Sequence, residues 1–435
     1  MVASGADGRK RMRAFMEQAF PLCRSITGDG VRATLDLIDT ELQAADNVPS
    51  LFRHEVPTGT PVLDWTVPNE WNLHRATLDG PLGRVLTTDD SNLHVVSYSV
   101  PTEVELDLDE LRPHLFTLPD QPDDIPYRTT YYREAWGLCM THRQYESLPE
   151  GLYRVTIDTT LEPGHLSYGE AVIPGLTDDE ILLSTHICHP SLANDNLSGM
   201  AALTEVARRL AARPTPLRHS VRLLFIPGTI GSITWLERNR KTTERIRAGL
   251  VLAGAGDRAP ATYKRSRRGA SRMDLVMSRL VDDRGGGVID YYPYGYDERQ
   301  FCSPGFDLPV GRLSRSMHGT YPEYHTSADD LDFVHDDTLA DTVDLVMAAI
   351  DAVDSEPRYL NTQPHGEPQL GRRGLYTAVG GAVNSKSTEM GLLWMLAYSD
   401  GEHSLNDIAR MSGVPIDDLS TAAAALVDAD LLRSV

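Results

Sequence analysis

The sequence predicts an α/β protein in which helices cover both faces of a mostly parallel sheet. Two observations lead to this fold class. Residues 150–355 alternate apolar strand patterns with amphipathic helix patterns, and repeated strand–helix–strand order places parallel strands in one sheet. The segment Glu180–Thr185 is almost uninterruptedly apolar, which is typical of a buried strand. In such sheets ligands bind at the carboxyl ends of the strands, so we expect the functional site there.

The elements of this domain follow in chain order. Residues 11–45 carry two amphipathic helix patterns separated by Pro21. The helix patterns further along cover Leu197–Leu210 and the surroundings of Trp235. The predicted strands are Tyr153–Ile157, Glu180–Thr185, Val221–Ile226 and Gly249–Leu252.

Two further segments complete the predicted organisation. Residues 50–150 show strand-like alternation, as in Val96–Val100, and many prolines, which indicates a small β-rich module inserted into the main domain or leaning on it. Residues 356–385, with Gly380 and Gly381, look like a loop, and three short helical patterns follow in the order of a winged helix-turn-helix. We therefore expect an α/β domain over 1–55 and 150–360, a β module over 56–149, and a linker with a winged helix over 361–435.

Length and composition agree with a globular protein of several domains. The chain has 435 residues, more than one core usually supports, with 41% hydrophobic and 24% charged residues. No apolar run approaches the length of a membrane span, and the basic cluster at residues 9–11 is not followed by one, so we expect no signal peptide and a cytoplasmic location. The four cysteines are far apart, which favours neither a disulfide framework nor a zinc knuckle.

The charge of the chain bears on its partners. The formal net charge of −21 disfavours binding to nucleic acid and to anionic membranes. The alternative interpretation is that the acidic residues simply keep the protein soluble. Residues 387–435 carry eight acidic and two basic side chains, a formal −6, whereas a phosphate-binding helix needs the opposite sign. We therefore expect an interaction or dimerisation module rather than a DNA-binding regulator, and a homo-oligomer formed through this domain or the β module.

Polar clusters lie where the predicted strands end. One strand delivers His186, and a tight loop then delivers Asp195 just before a helix; an imidazole and a carboxylate are good zinc ligands, although Asp195 could instead be an N-cap or turn residue. His325 is followed four residues later by Asp329, as in a metal ligand with a supporting carboxylate, or as in a loop histidine satisfied by a neighbour. Asp257 follows another strand, and the turn Pro227–Ser232 a third.

These clusters resemble the co-catalytic zinc aminopeptidase clan, whose members have a phosphorylase/hydrolase-like α/β fold. Within the clan the sequence is similar, over nearly its whole length, to a bacterial aminopeptidase-like family that joins an inserted β module to a C-terminal winged helix. The likeness is carried by His186, by Asp195-Asn-Leu-Ser-Gly199 and by His325-Thr-Ser-Ala-Asp329. It implies that His186 and His325 bind zinc, that Asp195 bridges two metals, and that Tyr296–Phe301 and Gly305–Pro309 wall the substrate pocket.

The sequence also departs from the clan. Gly228-Thr229 stands where the clan has a glutamate pair that supplies the general base and a zinc ligand. Cys188 replaces the aspartate that follows two residues after the first histidine. Ala253 aligns with a further aspartate, at the end of the next strand, and Asp257 is the nearest residue that could substitute for it. Three ligands are enough for a mononuclear zinc site, so the resemblance favours one zinc ion and leaves two open. His189 is a further candidate ligand or supporting donor, or a turn histidine before Pro190.

The missing base needs a substitute if the protein is a hydrolase. Glu298 is the first choice and Asp297 and Glu323 are the alternatives; each could instead be a solvated surface charge. The basic run Tyr263-Lys264-Arg265-Ser-Arg267-Arg268 could grip an acidic or phosphorylated group, and the aromatic run ending at Tyr296 could line the pocket, unless both are ordinary loops.

These observations predict a zinc-dependent hydrolase acting on a small peptide or amide bond. The alternative is a catalytically degenerate peptidase fold that binds a metabolite or a protein partner.

Overall fold

A computed structural model of the protein describes residues 4–45, 47–375 and 385–435. The chain forms two compact units, which divide after Asp351. Among the described residues, none of the helices combines the length and the apolar character that crossing a bilayer requires.

The first unit is built on a central sheet, which has eight strands within the described ranges. The strands are β1 (Phe52–Pro57), β2 (His165–Ile173), β3 (Glu180–His186), β4 (Ser220–Ile226), β5 (Ile246–Leu252), β6 (Thr262–Lys264), β7 (Gly287–Ile289) and β8 (Val310–Ser314). Their order is β1-β2-β4-β3-β5-β8-β6-β7. The pairs β3–β4, β3–β5, β5–β8 and β6–β7 are parallel, whereas β1–β2, β2–β4 and β6–β8 are antiparallel. The predicted fold class is therefore confirmed.

The apolar sequence of β3 explains its central position. Every residue of β3 is buried, because the strand lies between β4 and β5 and the helix Gly199–Ala211 packs on it. That helix also contacts Ser4–Ala19 and Asp29–Gln43, whereas Ile230–Arg238 packs with Glu298–Phe301. The remaining helices of this unit are Leu108–Leu111, His142–Glu146, Arg240–Thr243, Arg272–Asp282 and Asp336–Asp354, the last of which runs past the unit boundary.

A second, antiparallel sheet belongs to the same compact unit. Its strands, in spatial order, are Gly83–Thr87, Glu70–Gly80, Leu152–Glu162 and Thr102–Asp107. The β module expected over 56–149 therefore needs a correction, because Leu152–Glu162 belongs to this sheet and not to the central one. Its alternating burial fits any half-buried strand, so the pattern could not show which sheet it joins. In Val96–Val100 a single residue, Ser97, forms an isolated bridge, to Thr129, and the segment is not a strand.

One apolar core joins the two sheets. Trp71 and Tyr153 of the second sheet lie in the same buried cluster as Leu182 and Ile226 of the central sheet. The inserted strands consequently have no separate core of their own. The short elements between the strands of this region are Pro61–Val62, Trp65–Thr66, Asn92–His94, Arg112–His114, Leu115–Phe116 and Leu138–Cys139.

The second unit is a small helical domain with a three-stranded antiparallel sheet. Its helices are Ser385–Tyr398, Leu405–Ser412 and Ile416–Asp428, and a short 3-10 turn covers Gly371–Arg373. In its sheet Arg358–Asn361 lies between Asp400–Ser404 and Leu432–Ser434. The loop expected over 356–385 therefore contributes a strand; its residues 376–384, with Gly380 and Gly381, lie outside the described residues.

Candidate metal centre

The carboxylate of Asp195 lies between two histidines that are distant in sequence. Strand β3 ends at His186, and the kinked turn Ala193–Ser198 brings Asp195 back to it. His186 Nε2 is 2.8 Å from Asp195 Oδ1, and His325 Nε2 is 3.1 Å from Asp195 Oδ2. The side chains of His186 and Asp195 have no solvent exposure. The structure thus brings together the three residues that the sequence singled out as ligands.

His189 completes the cluster. Its Nε2 atom is 3.9 Å from Asp195 Oδ2, and its ring centroid lies 4.9 Å from that of His186 and 5.1 Å from that of His325. Burial lowers the pKa of His189 well below the ordinary value, so its imidazole is neutral and keeps a free nitrogen lone pair. The backbone carbonyl of His189 accepts a hydrogen bond of 3.0 Å from the buried Arg24 guanidinium.

The donor set suits a zinc ion. Burial alone would raise the pKa of Asp195, but the three imidazoles around it lower the pKa well below its usual range. The ligand atoms of His186, His189 and Asp195 lie within 4.8 Å of one another. Ionised carboxylate and neutral imidazole are the ligands that zinc prefers when cysteine is absent. The residues present therefore fit this metal.

Asp329 holds the loop that carries Asp195. Its carboxylate accepts hydrogen bonds from the backbone N–H groups of Asn194, at 2.5 Å, and Asp195, at 2.9 Å. Burial raises the pKa of Asp329 to about 8, although these N–H groups oppose the rise. The expectation that Asp329 supports His325 is therefore wrong, since its carboxylate is bound to the backbone of the other ligand's loop.

Asp257 lies behind this loop and not in the cluster. It accepts hydrogen bonds from Asn194 Nδ2 at 2.8 Å, from Ala259 N–H at 2.8 Å, and from the N–H and hydroxyl of Ser316 at 3.0 Å each. Both carboxylate oxygens are occupied by these bonds. The structure consequently does not bring Asp257 to the histidines, and its role is to anchor Asn194.

The turn at Gly228 and Thr229 passes beside His186. A Cβ atom at Gly228 would lie 3.2 Å from Cys188 Sγ and 3.7 Å from His186 Cβ. The Thr229 N–H and the Ser232 hydroxyl both donate to Asp297 Oδ1 at 2.7 Å. The carboxylate of Asp297, which comes from a distant loop, therefore accepts hydrogen bonds from this turn. The turn itself has no acidic side chain at Gly228 or Thr229.

Asp297 lines a cavity, and one of its carboxylate oxygens has no partner among the described residues. The side chain is fully buried, and Asp297 Oδ2 has no hydrogen-bond partner within the described part of the chain. Burial raises the pKa of Asp297, against the effects of His186 and of the hydrogen bonds from Ser232 and Thr229. A buried carboxylate with one free oxygen is a good proton acceptor.

The cavity has a volume of about 390 Å³ and is lined by His186, His189, His325 and Asp297 together with aromatic rings. Tyr296 stacks on His186 with ring centroids 4.7 Å apart, and Tyr324 stacks on His325 at 3.9 Å. Trp65, Tyr131 and Tyr132 add further aromatic surface. The size and the mixture of apolar walls with a few polar groups are typical of a small-molecule site.

Glu298, the expected base, lies outside the lining of this cavity. Its Oε1 atom is 2.9 Å from Lys264 Nζ and 3.6 Å from Arg312 Nη1, and all three side chains lack solvent exposure. Glu298 is therefore neither a solvated charge nor a cavity residue but part of a buried ion cluster.

Glu323 is not a cavity residue either. It is half-buried and close to Asp124, whose pKa is raised by burial and by the carboxylates of Asp123 and Glu323. Of the three carboxylates proposed from sequence, the structure brings Asp297 alone to the histidine cluster.

The basic run does not reach the cavity. Tyr263 donates to Asp274 at 2.8 Å, Arg265 pairs with Asp290 at 2.8 Å, and Arg267 and Arg268 pair with Asp307 at 2.7 and 3.3 Å. The expected substrate-binding role of Tyr263, Lys264, Arg265 and Arg267 is not supported, because acidic neighbours already satisfy them. Tyr296 does line the cavity, whereas Tyr291 and Tyr292 pack over Lys264.

Several site residues were not predicted from the sequence, among them Trp65, Tyr131 and Tyr132 of the cavity wall. Tyr127 places its ring 5.2 Å from His189 and 5.1 Å from His325. Arg299 lines the cavity two residues after Asp297. Arg299 lies in Tyr296–Phe301, the segment that the resemblance identifies as a pocket wall, so its place near the site could be expected. A single arginine, however, does not by itself indicate a binding role, and the denser basic run at residues 263–268 was the stronger candidate.

Comparison with known proteins agrees with this architecture. Residues 13–356 match the profile of a family described as a domain of unknown function (DUF4910), and residues 357–434 match a winged helix-turn-helix. A protein of Clostridium acetobutylicum, provisionally named a polysaccharide biosynthesis protein with an aminopeptidase-like domain, is 45% identical over 423 residues, which are 97% of this chain and 95% of that protein.

Solved structures show the same similarity. The crystal structure of a provisionally assigned peptidase from Clostridium acetobutylicum is 43% identical, with a TM-score of 0.80, and the match covers 99% of this chain and 97% of the other. A zinc aminopeptidase from Bacillus subtilis is 14% identical with a TM-score of 0.58, covering 80% of this chain and 97% of the other. At that identity the second comparison shows the fold alone.

Proposed function

The chain belongs to the family described as a domain of unknown function (DUF4910), with a winged helix at its C-terminal end, and from this premise we propose that it is a zinc-dependent hydrolase of a small peptide or amide bond. The aminopeptidase-like resemblance seen in the sequence is confirmed by the relatives and by the fold. The proposal rests on one observation, the convergence of His186, His325 and His189 on the buried carboxylate of Asp195.

These side chains have separate tasks in the proposal. His186, Asp195 and His325 would hold the metal, and His189 would add a fourth ligand. A zinc ion at this position supplies a Lewis acid that polarises the substrate carbonyl and makes water more acidic. Tyr296 and Tyr324 keep the rings of His186 and His325 in place by stacking on them.

We assign the general base to Asp297. Its Oδ1 atom is fixed by Thr229 and Ser232, Oδ2 has no partner in the described part of the protein, and the residue lines the cavity. Asp297 Oδ2 would take a proton from the attacking water and return it to the leaving amine. The carboxylate of Asp297 would thereby act as the general base, a role that Gly228 cannot fill because it has no side chain.

The first test measures zinc in protein purified without chelator or added metal. We expect zinc in the wild-type protein and a loss of most of it in His325→Ala, because removing a direct ligand should cost more than the ~10–100-fold in affinity lost with outer partners. His74→Ala, which changes an exposed histidine far from the cluster in sequence, is the matched control and should keep its zinc. Elemental analysis gives the stoichiometry.

The same preparations are then assayed on amino-acyl amides and small peptides. An N-acetylated amino sugar belongs in the panel, because the relative from Clostridium acetobutylicum is named for polysaccharide biosynthesis. Wild-type protein that neither contains zinc nor regains it on addition would overturn the metal proposal. Zinc without turnover of any amide would instead favour a catalytically degenerate protein, which the absence of acidic side chains at Gly228 and Thr229 already suggests as the second candidate.

We further expect one tightly bound ion per chain. Asp195 is the carboxylate of the cluster, Asp257 is engaged elsewhere, and Thr229 and Ala253 stand where the resembling clan has acidic ligands. Titration of the metal-free protein with zinc should therefore show a single tight equivalent. A crystal structure with two fully occupied ions about 3.5–4 Å apart, the spacing of two-metal sites, would contradict this expectation.

A further inference from the structure

Arg299 is a cation in the cavity wall that has no partner among the described residues. Its side chain is half-buried and lines the same cavity as His186 and Asp297. In that part of the chain its guanidinium makes no ion pair or hydrogen bond, and its Nε atom is buried without an acceptor. The cavity thus contains a positive charge that nothing in the described protein satisfies.

The neighbouring cations are different. Arg265, Arg267 and Arg268 each pair with an aspartate, and Lys264 pairs with Glu298. Each of these four cations therefore has an acidic partner, whereas Arg299 has none among the described residues. An unpaired charge is costly in a partly desolvated place, so an unoccupied guanidinium there is a position prepared for a ligand.

The chemistry of the guanidinium selects the ligand. Its planar array of N–H donors matches the two oxygens of a carboxylate or of a phosphate group. The rest of the cavity wall is mostly aromatic, and the chain as a whole has a formal net charge of −21, which repels anions. An anionic group would therefore need a local cation to enter, and Arg299 supplies it.

We propose that the cavity takes an amide substrate that also carries an anionic group, a carboxylate or a phosphate, and that Arg299 binds this group. The inference rests on the proposed function for the amide, but binding of the anion requires no turnover. Asp297 and Arg299 are two residues apart on one segment, so the site of the anion and the proton acceptor are held by the same piece of backbone.

The test is calorimetric and uses small probes. Glutarate, its neutral isostere glutaramide, and inorganic phosphate are titrated into the full-length wild-type protein, before and after treatment with a chelator, and into Arg299→Gln and Arg268→Gln. A hydrogen bond to a charged group contributes about 1.5–3 kcal/mol, so we expect at least one anion to bind the wild-type protein about 10–100-fold more tightly than glutaramide. The tighter of glutarate and phosphate identifies the anionic group.

The variants decide where the anion binds. Arg299→Gln should lose the preference for the anion, whereas Arg268→Gln, which alters an arginine paired with Asp307, should keep it. Wild-type protein freed of metal with a chelator should also keep it, since Arg299 and not a metal ion is the receptor. Equal affinity for anions and glutaramide in the wild-type protein, or a preference lost on chelation but kept in Arg299→Gln, overturns the inference. Because the experiment measures binding and not hydrolysis, it tests the role of Arg299 even if the protein proves not to hydrolyse amides.

Discussion

Replacing Asp297 by asparagine is expected to lower amide turnover by about 10²–10⁴-fold, the usual contribution of a general base. Asparagine keeps the oxygen that accepts from Thr229 N–H and the Ser232 hydroxyl, so the loop should stay in place. The oxygen that is replaced is the unpaired Oδ2, the proposed proton acceptor. Steady-state kinetics on the best amide substrate, together with zinc analysis of the same preparation, measures the effect, and zinc content should not change.

Two other variants make this result specific. Asp290→Asn makes the same chemical change on an exposed side chain paired with Arg265, and its turnover should equal that of the wild type. Glu298→Gln tests the neighbour that the sequence favoured. Full turnover in Asp297→Asn, combined with a large loss in Glu298→Gln at normal zinc content, would return the role of base to Glu298.

A rescue experiment tests the same assignment from the other direction. Gly228→Glu introduces a carboxylate on the turn beside His186, where its Cβ would lie 3.2 Å from Cys188 Sγ and require that thiol to shift. In the Asp297→Asn background it should restore part of the turnover. Such a gain would show that the turn and the loop position a carboxylate for the same proton.

The second large effect concerns stability. Glu298→Gln should lower the free energy of unfolding of the first unit by about 3–5 kcal/mol, the cost of leaving buried charges without their partner. Glu298 Oε1 lies 2.9 Å from Lys264 Nζ and 3.6 Å from Arg312 Nη1, so both buried cations would lose this carboxylate. Urea denaturation followed by tryptophan fluorescence measures the change.

The double variant Lys264→Met/Glu298→Gln separates pairing from packing. Removing Lys264 as well should recover part of the loss, because Arg312 is then the one cation of the two left without this carboxylate. Arg268→Gln, which breaks an exposed pair with Asp307, should cost no more than about 1 kcal/mol. A loss as small as that in Glu298→Gln would mean that the buried ion cluster contributes little.

The sheet could be predicted from the sequence because its central strands have nearly continuous apolar sequences. Glu180–His186 and Ser220–Ile226 are apolar enough to be buried on both faces, and strand–helix alternation then determines parallel pairing. The position of His186 at a strand end and of Asp195 in the following loop came from the same logic. The structure places them together with His325, and zinc binding by them stays a prediction.

The remaining features depend on contacts that local patterns do not encode. Asp297 and Glu298 are adjacent, and the start of a four-residue helix decides that one borders the cavity while the other meets Lys264. Leu152–Glu162 alternates as any half-buried strand does, so only its register with Glu70–Gly80 assigns it to the second sheet. Long-range pairing, rather than residue type, determines both outcomes.

The hydrogen bonds behind Asp195 bear on how the proposed centre would acquire an ion. Asp329 holds the backbone of Asn194 and Asp195, while Asp257 and the Gly256 N–H hold the Asn194 side chain. These bonds use none of the atoms proposed to bind zinc, so they order the loop without a metal. Ion uptake should therefore need little reorganisation, and chelation should empty the site reversibly without melting the domain. The proposed centre would then be a rigid receptor, unlike small zinc domains in which metal binding and folding are one event.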